Sequence, residues 1–290
     1  MAPILTAAQK DVWADRRRRV KELRTRQGFA RQLLDFYGAL LAVQEKAYVE
    51  AASVRPAGRN LASYCADVVV PGIVDVSLFA GPDQLRSQLL HRLETEQPLR
   101  MIEQWIAGDS QAMVDRYLAR ASLGPVLEAL DAEARATCGG PRDARHCPDC
   151  GGPPQLSYFE RSADDLATGP RRLLCARCGA SWGYPRMTCS GCGEDESAKL
   201  PVFSEYGAAS GERGSVVRGL PADPVADPVH AVFPHVRIEA CESCRQYLLS
   251  IDLATDRAAV PVVDEIAAIP LDLYARERGF TKVIPNLMGF

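Results

Sequence analysis

Four pairs of cysteines, each pair separated by two residues, are the part of this sequence best suited to chemistry. The chain has 290 residues and ten cysteines, and eight of these form Cys-x-x-Cys pairs after residue 146. The eight are Cys147, Cys150, Cys175, Cys178, Cys189, Cys192, Cys241 and Cys244. Two intervening residues let both sulfurs of a pair face one ion at about 2.3 Å. Four pairs therefore predict two metal sites with four thiolates each.

The order of the pairs favours joining the first to the second and the third to the fourth. In that arrangement the cysteine pairs are 24 and 48 residues apart, and each intervening segment holds a strand-like run at both ends. A nested arrangement would join the second and third pairs across only 10 residues and leave a larger outer loop. The cost of closing that loop grows only logarithmically with its length. The sequential pairing is therefore a preference and not a requirement.

The donor set indicates metal but leaves its identity open. Four thiolates suit zinc or iron, and they leave no coordination position for a catalytic water. A thioredoxin-like pair would need a βαβ context, which the surrounding sequence does not provide. From the residues alone, two structural zinc ions are as well supported as any functional role. Of the remaining cysteines, Cys65 is expected to be buried and Cys138 exposed, both as passive thiols.

The elements that precede the cysteines are predicted to be helices. From Gly28 to Ala52, apolar residues recur every three or four positions, as in one face of a helix. Similar patterns follow, with Asp83 and Asp109 as expected N-terminal caps and a last helix from Leu123 to Ala136. The run Arg16 to Arg19 is predicted to be a solvated helix face, since acidic residues flank it.

After residue 138 the pattern changes to short runs typical of strands. Six runs are predicted, separated by glycine and proline turns: Gln155 to Glu160, Arg171 to Cys175, Ser181 to Met187, Lys199 to Tyr206, Val232 to Ala240 and Gln246 to Leu253. Gly207 to Val229 is predicted to be a long loop. A terminal helix is expected from Asp264 to Arg278, broken or kinked at Pro270.

Composition and charge exclude several classes of protein. With 47% hydrophobic and 24% charged residues, the chain has a globular composition. No charge-free run exceeds ten residues, so no membrane span is expected. Residues 145–256 carry 11 basic and 15 acidic side chains, a net charge of −4, which disfavours a nucleic-acid partner. The N-terminus lacks a secretory pattern, so a cytoplasmic location is expected.

The cysteine pairs lie within longer motifs that resemble those of the formate dehydrogenase accessory protein family, the FdhE type. The motifs are CPDCG, LLCARCGASWGYPRMTCSGCG, ACESCRQYLLSIDL and VVDEIAAIPLDLYARERGF, in that order. The resemblance is specific from residue 146 to 290 and loose before that. It implies a cytoplasmic assembly factor that is not an enzyme, is needed for active formate dehydrogenase and contacts its catalytic subunit. It also implies two rubredoxin-like modules whose eight cysteines hold two iron ions.

Together these arguments predict an α+β protein. An N-terminal all-α helical domain (1–140) precedes two small rubredoxin-like or zinc-ribbon β modules (141–188 and 189–256) and a C-terminal helical tail (257–290). In the knuckle motif, glycine follows the second cysteine, and Arg245 departs from that rule.

The surface that would meet a partner is less clear from the sequence. Trp182 and Tyr184 follow the second cysteine pair and are candidates for partner binding, because aromatic residues are enriched at interface cores. Packing against the ribbon is the alternative for both. Two other functions stay open: a zinc-ribbon nucleic-acid-binding protein and a rubredoxin-like electron carrier.

Overall fold

In the part of the chain that the structure describes, eight α-helices precede the strands and two more follow all strands but the last, which confirms the predicted α+β class. A computed structural model describes residues 7–56, 60–140, 142–161, 169–205, 216–217 and 231–290. For residues 7–11, 60, 216 and 217 the description covers the backbone only. The predicted loop from Gly207 to Val229 lies outside the described residues, apart from Val216 and Val217.

The chain divides into two compact units. The first consists of Met1–Pro153, Cys175–Ala180 and Leu287–Gly289, and the second of Pro154–Leu174, Ser181–Asn286 and Phe290. The first unit therefore contains the first two cysteine pairs together with the helices. The four-part division drawn from the sequence stays a prediction.

Eight α-helices are described in the first unit. They are α1 (Ala7–Arg26), α2 (Arg31–Val54), α3 (Asn60–Tyr64), α4 (Val70–Ala80), α5 (Asp83–Thr95), α6 (Pro98–Ala107), α7 (Met113–Ala129) and α8 (Ala132–Ala136). A short 3₁₀-helix, Gly28–Ala30, precedes α2, and a π-helix, Cys65–Val69, joins α3 to α4.

The core of this unit forms where α2 packs against α1, α4 and α7. The apolar stripe predicted on α2 is present: Leu40 and Leu41 are fully buried. Leu34 is buried as well, whereas Phe29 is 55% exposed because it lies in the 3₁₀ turn before the helix. The Gln44 side chain donates a hydrogen bond to the backbone oxygen of Ala121 at 3.0 Å and so satisfies a polar group inside the interface.

Three details of the predicted helices were wrong. Asp109 does not cap α7, which begins at Met113 after Ala112, and Asp83 is the first residue of α5 rather than its cap. The segment predicted as a last helix from Leu123 is divided between the end of α7, which continues through Pro125, and the short helix α8. The cap that does form is at α8, where the Asp131 side chain accepts a hydrogen bond from the Ala134 N–H at 3.0 Å.

The run of arginines in α1 is not uniformly solvated. The Arg19 side chain is only 1% exposed and bonds to Glu22, and Arg16 makes a two-pronged ion pair with Glu128 of α7. The prediction of a solvated face was therefore wrong for these two residues.

The second unit is built on one mixed sheet. Its strands are β1 (Pro154–Phe159), β2 (Arg171–Cys175), β3 (Ser181–Gly183), β4 (Val202–Glu205), β5 (Val216–Val217), β6 (Val236–Ala240), β7 (Gln246–Asp252) and β8 (Thr281–Lys282). Their order is β3-β2-β1-β7-β6-β4-β5, with β8 paired to β7. The six predicted runs all contain strands, but the parallel pairing of β1 with β7, which joins the two predicted ribbons, was not predicted.

The tail forms two helices instead of one. They are α9 (Pro261–Ala267) and α10 (Ile269–Glu277), and the break falls just before Pro270, as predicted. Proline cannot donate the backbone hydrogen bond that a continuous helix would need.

The tail closes a buried ionic cluster within the second unit. Lys282 of β8 contacts Glu265 at 2.7 Å and Asp272 at 3.0 Å, and all three side chains are at most 1% exposed. The Tyr247 hydroxyl donates to Asp272 at 2.8 Å, and Gln155 donates to Glu265. The cluster therefore ties the tail to strands β1 and β7.

Candidate metal centres

The first four cysteines meet in one buried cluster. Cys147 and Cys178 have their sulfurs 3.7 Å apart, and Cys150 and Cys175 have theirs 3.5 Å apart. All four sulfurs lie within 4.8 Å of one another. A tetrahedral site with metal–sulfur bonds of about 2.3 Å has edges of about 3.8 Å, whereas a disulfide is about 2.05 Å long. The geometry therefore fits one tetrahedral ion held by four thiolates.

The last four cysteines form a second cluster of the same size. The sulfurs of Cys189 and Cys244 are 3.7 Å apart, as are those of Cys192 and Cys241. This grouping confirms the sequential pairing and excludes the nested one. Metal binding by the eight cysteines stays a prediction. The distances between their sulfurs are those expected of two four-thiolate sites.

All four cysteine pairs have the backbone conformation of a knuckle. The residue after the second cysteine has a positive φ in each: Gly151 (66°), Gly179 (70°), Gly193 (86°) and Arg245 (57°). Glycine adopts this left-handed conformation without steric cost. Arg245 therefore departs from the motif in residue type but not in geometry.

Hydrogen bonds favour the thiolate form of Cys147 and Cys241, whereas burial raises the pKa of Cys175 and Cys189. Backbone N–H groups reach the sulfurs of Cys175 and Cys189, each at 3.3 Å. Hydrogen bonds from Cys150 and the other thiols of its cluster lower the pKa of Cys147. In the second cluster, burial opposes ionisation, but backbone N–H groups lower the pKa of Cys241. Ionised sulfur is the form that binds metal.

The two clusters differ in their access to solvent. The four cysteines of the first are at most 3% exposed. In the second, Cys241 is buried, Cys189 and Cys244 are half-buried and Cys192 is exposed. An ion in the second cluster would be within reach of chelators or partner molecules, whereas an ion in the first would be enclosed.

A buried arginine ties the first cluster to the helices of its own unit. In the sequence, Arg177 lies between the two cysteines of the second knuckle. Its guanidinium donates hydrogen bonds to the backbone oxygens of Cys150 (2.7 Å) and Trp105 (3.1 Å). Its side chain also lies over the Trp105 ring. Gly152 approaches this cluster so closely that a Cβ there would lie 2.8 Å from the Cys175 sulfur. Arg177 was not predicted from the sequence, although its place inside the CARC motif was a signal.

Residues of the C-terminal tail contact the fourth knuckle of the chain, which belongs to the second cluster. The Arg245 guanidinium lies 4.0 Å from the centre of the Phe280 ring and donates to the backbone oxygen of Arg278 at 2.6 Å. The Thr281 N–H donates to the backbone oxygen of Arg245 at 2.8 Å. These contacts offset the cost of about 1 kcal/mol or more that a left-handed conformation imposes on a residue other than glycine.

We expect the rate of metal loss from the second cluster to rank Arg245→Ala, then Arg245→Gly, then wild type, from fastest to slowest. Alanine keeps the conformational strain and loses the side-chain contacts with Phe280 and Arg278, which are worth about 2 kcal/mol together, whereas glycine loses these contacts but relieves the strain. Transfer to a colorimetric chelator measures the rate, with the first cluster as internal control. Slower loss in Arg245→Gly than in wild type would show that the tail contacts contribute little.

Trp182 and Tyr184 are nearly buried. They are 9% and 8% exposed. Trp182 pairs with Leu173 across the β2–β3 ladder, and the Tyr184 hydroxyl donates to the backbone oxygen of Cys189 at 3.1 Å. This placement favours the packing alternative, and partner binding by these residues stays a prediction.

The two remaining cysteines are passive thiols by burial. Cys65 is fully buried, as predicted, but Cys138 is only 6% exposed, so its predicted exposure was wrong. Burial raises the pKa of Cys138 to about 11 and also raises that of Cys65. Neither thiol is therefore ionised near neutral pH.

A third group of potential ligands contains His235, Asp256 and Asp264. His235 Nε2 is 2.8 Å from Asp264, whose other oxygen accepts a hydrogen bond from the Val260 N–H. These bonds occupy the ring nitrogen and both carboxylate oxygens. The group therefore fits a hydrogen-bonded link between α9 and the residue just before β6 better than a metal site.

Similar proteins agree with the motif resemblance. Residues 223–288 match the family model described as FdhE, C-terminal domain. Proteins named FdhE homolog from Aquifex aeolicus and Pseudomonas aeruginosa are each 32% identical, over 145 and 143 residues. The resemblance to FdhE proteins is confirmed.

The two sequence alignments are partial, whereas the structural alignment covers nearly all of this chain. The aligned parts cover 50% and 49% of this chain and 42% and 38% of those two FdhE homologues, so the chain spans less than half of their length. The crystal structure of the FdhE protein from Pseudomonas aeruginosa aligns over 96% of this chain and 95% of its own, with a TM-score of 0.59 and 20% identity. At that identity the structural likeness shows a shared fold.

Proposed function

We propose that this protein is an accessory factor for the maturation of formate dehydrogenase and that it binds the catalytic subunit of that enzyme in the cytoplasm. The observation that carries the proposal is the pair of four-cysteine clusters, in a chain whose residues 223–288 match the FdhE C-terminal domain.

The form of the clusters supports a binding role over an enzymatic one. Four thiolates complete a tetrahedral coordination sphere and leave no position for a substrate or a catalytic water. The first cluster is also enclosed among the helices of its unit. We therefore propose that the protein acts on its client by contact and not by catalysing a reaction of its own.

We propose iron as the metal of both centres, with zinc as the alternative. Eight cysteines provide the ligands, and a four-thiolate site accepts either ion. Iron would supply a one-electron couple, which zinc lacks. The exposure of Cys192 supports electron exchange at the second centre only, because electron transfer to a partner favours an accessible site. Zinc in both centres would leave the assembly role open.

A rubredoxin-like electron carrier is the second candidate, and the open second cluster is the observation that favours it. A carrier would not require a helical unit that encloses the other cluster. The nucleic-acid alternative has no comparable support, because the segment that carries the ribbons has a net charge of −4.

In cells that express formate dehydrogenase, the tagged protein should co-purify with the catalytic subunit. If Trp182 contacts that subunit, Trp182→Ala should abolish the co-purification while two metals per chain remain. Truncating an aromatic side chain at an interface core removes a large share of binding energy, about 2 kcal/mol or more. Immunoblotting of the subunit and elemental analysis of the same samples provide the two readouts.

Leu273→Ala is the matched control, since Leu273 is an exposed apolar residue of the tail in the same unit. Loss of metal in Trp182→Ala would assign Trp182 to packing and not to docking. Failure of the wild-type protein to retain the subunit, even after chemical cross-linking, would refute the proposed role.

A further inference from the structure

One side of the helical stretch from Cys65 to Ala80 is apolar and faces solvent. The π-helix Cys65–Val69 runs directly into α4, and their inner side buries Val69, Val70 and Ile73. On the outer side, Val68 is 43% exposed and Phe79 is 89% exposed. Exposed apolar side chains that lie together mark interaction sites more often than single ones do, and π-helical turns occur frequently at functional sites.

Two aspartates accompany these apolar residues. Asp75 lies seven residues after Val68 and four before Phe79, which places all three on one side of the helix. Asp67 is exposed beside Val68. Among the residues that the structure describes, neither carboxylate forms an ion pair or a hydrogen bond through its side chain. We call Asp67, Val68, Pro71, Asp75 and Phe79 the Phe79 face.

The charges of this face distinguish between possible occupants. The stretch Leu61–Ala80 is long and apolar enough to cross a membrane by length and composition alone, and it is partly buried. Buried helices of globular proteins meet the same criterion. Carboxylates in the middle of the exposed side are costly in hydrocarbon, and they repel the anionic headgroups of a membrane surface.

We propose that the Phe79 face binds a segment of a partner protein that presents apolar side chains together with lysine or arginine. Phe79 would enter the apolar side of that segment, while Asp75 and Asp67 would pair with its cations. The complementarity combines an apolar anchor with charge steering, which together give affinity and selectivity. The inference concerns the chemistry of the partner segment and does not depend on the formate dehydrogenase role.

The test uses two fluorescent amphipathic peptides of about 15 residues, the length of about four helical turns. One contains leucine and lysine, and the other contains leucine and glutamate. By fluorescence anisotropy with the full-length protein, the lysine peptide should bind at least about tenfold more tightly than the glutamate peptide. Phe79→Ala should weaken binding of the lysine peptide about tenfold, and the double variant Asp67→Lys, Asp75→Lys should reverse the preference between the peptides.

Matched controls lie on the same unit. Leu90→Ala removes another exposed apolar side chain, from α5, and Asp109→Asn removes another exposed carboxylate. Both should leave binding within about twofold. Circular dichroism confirms that every variant is folded.

Several results would overturn the inference. Equal affinity for the two peptides would remove the role of the aspartates, and an unchanged affinity in Phe79→Ala would place the binding elsewhere. Sedimentation with phosphatidylglycerol and phosphatidylethanolamine vesicles that is lost in Phe79→Ala would identify a lipid surface. A dimer that becomes monomeric in Phe79→Ala would identify a second copy of this chain as the occupant.

Discussion

In protein purified without oxygen, a chelator should remove one metal ion per chain rapidly and the other only when the helical unit unfolds. The fast ion should come from the second cluster, because Cys192 is exposed and two more of its cysteines are half-buried. The first cluster is enclosed and bonded to α6 through Arg177, so its release requires a larger opening. We expect the two rates to differ by about tenfold or more. The order of release does not depend on the metal, whereas a visible absorption band would indicate iron instead of colourless zinc.

Two matched cysteine variants assign the two phases. Cys192→Ser should retain one metal ion and a normal far-ultraviolet circular dichroism spectrum. Cys178→Ser should lose helical signal, because a structural four-thiolate ion contributes about 10 kcal/mol or more of binding free energy at neutral pH. That contribution is comparable with the whole stability of a domain, about 5–15 kcal/mol.

The opposite pattern would show that the first cluster is not structural. Release of both ions at one rate in the wild type, or a fully helical Cys178→Ser that melts like the wild type, would contradict the assignment. A protein that is folded yet contains no metal would remove the basis for both centres.

The location of the first cluster shows where prediction from the sequence stops. The eight cysteines and their pairing were predictable because the spacing of a knuckle is local, with its two sulfurs only three residues apart. The contact of Arg177 with Trp105 joins residues 72 positions apart. No periodicity or motif indicates such a contact, so the sequence could not assign the first cluster to the helical unit.

Charged residues were the other source of error. Arg19 was placed on a solvated face because acidic residues flank the arginine run, but in the structure only 1% of its side chain is accessible. The tail pattern correctly predicted a helix broken near Pro270. It did not predict that Glu265, Asp272 and Lys282 would be buried together, since burial of each depends on partners brought by distant elements.

Lys282→Met should destabilise the second unit by about 3–5 kcal/mol at neutral pH, because it leaves two carboxylates buried without their cation. Methionine is similar in length, so the loss is electrostatic and not a cavity effect. Hydrogen exchange at the Thr281 and Val283 amides, which bond to Arg245 and Tyr247 of the neighbouring segment, reports on this region. Exchange should accelerate by about a hundredfold or more. Lys199→Met, which removes a lysine from a surface pair with Glu196, should change stability by less than about 1 kcal/mol.

The effect of pH separates this mechanism from simple loss of packing. Burial raises the pKa of Glu265 even in the presence of Lys282, and without the lysine that pKa rises further. A carboxyl group whose pKa is higher in the folded state favours folding at low pH and loses that advantage as the pH rises. The deficit of Lys282→Met relative to wild type should therefore shrink as the pH falls from 7 toward 5. A deficit that is constant over this range would refute the electrostatic explanation.

The same variant links the tail to the second metal centre. β8 pairs with β7 directly after the fourth knuckle, and the Thr281 N–H holds the backbone oxygen of Arg245 in its left-handed turn. If Lys282 holds β8 in place, then Lys282→Met should also speed metal loss from the second cluster at pH 7. At pH 5.5, Lys282→Met should speed that loss less than Arg245→Ala does. Unchanged metal release with accelerated amide exchange would show that the buried ionic cluster stabilises the tail without supporting the metal centre.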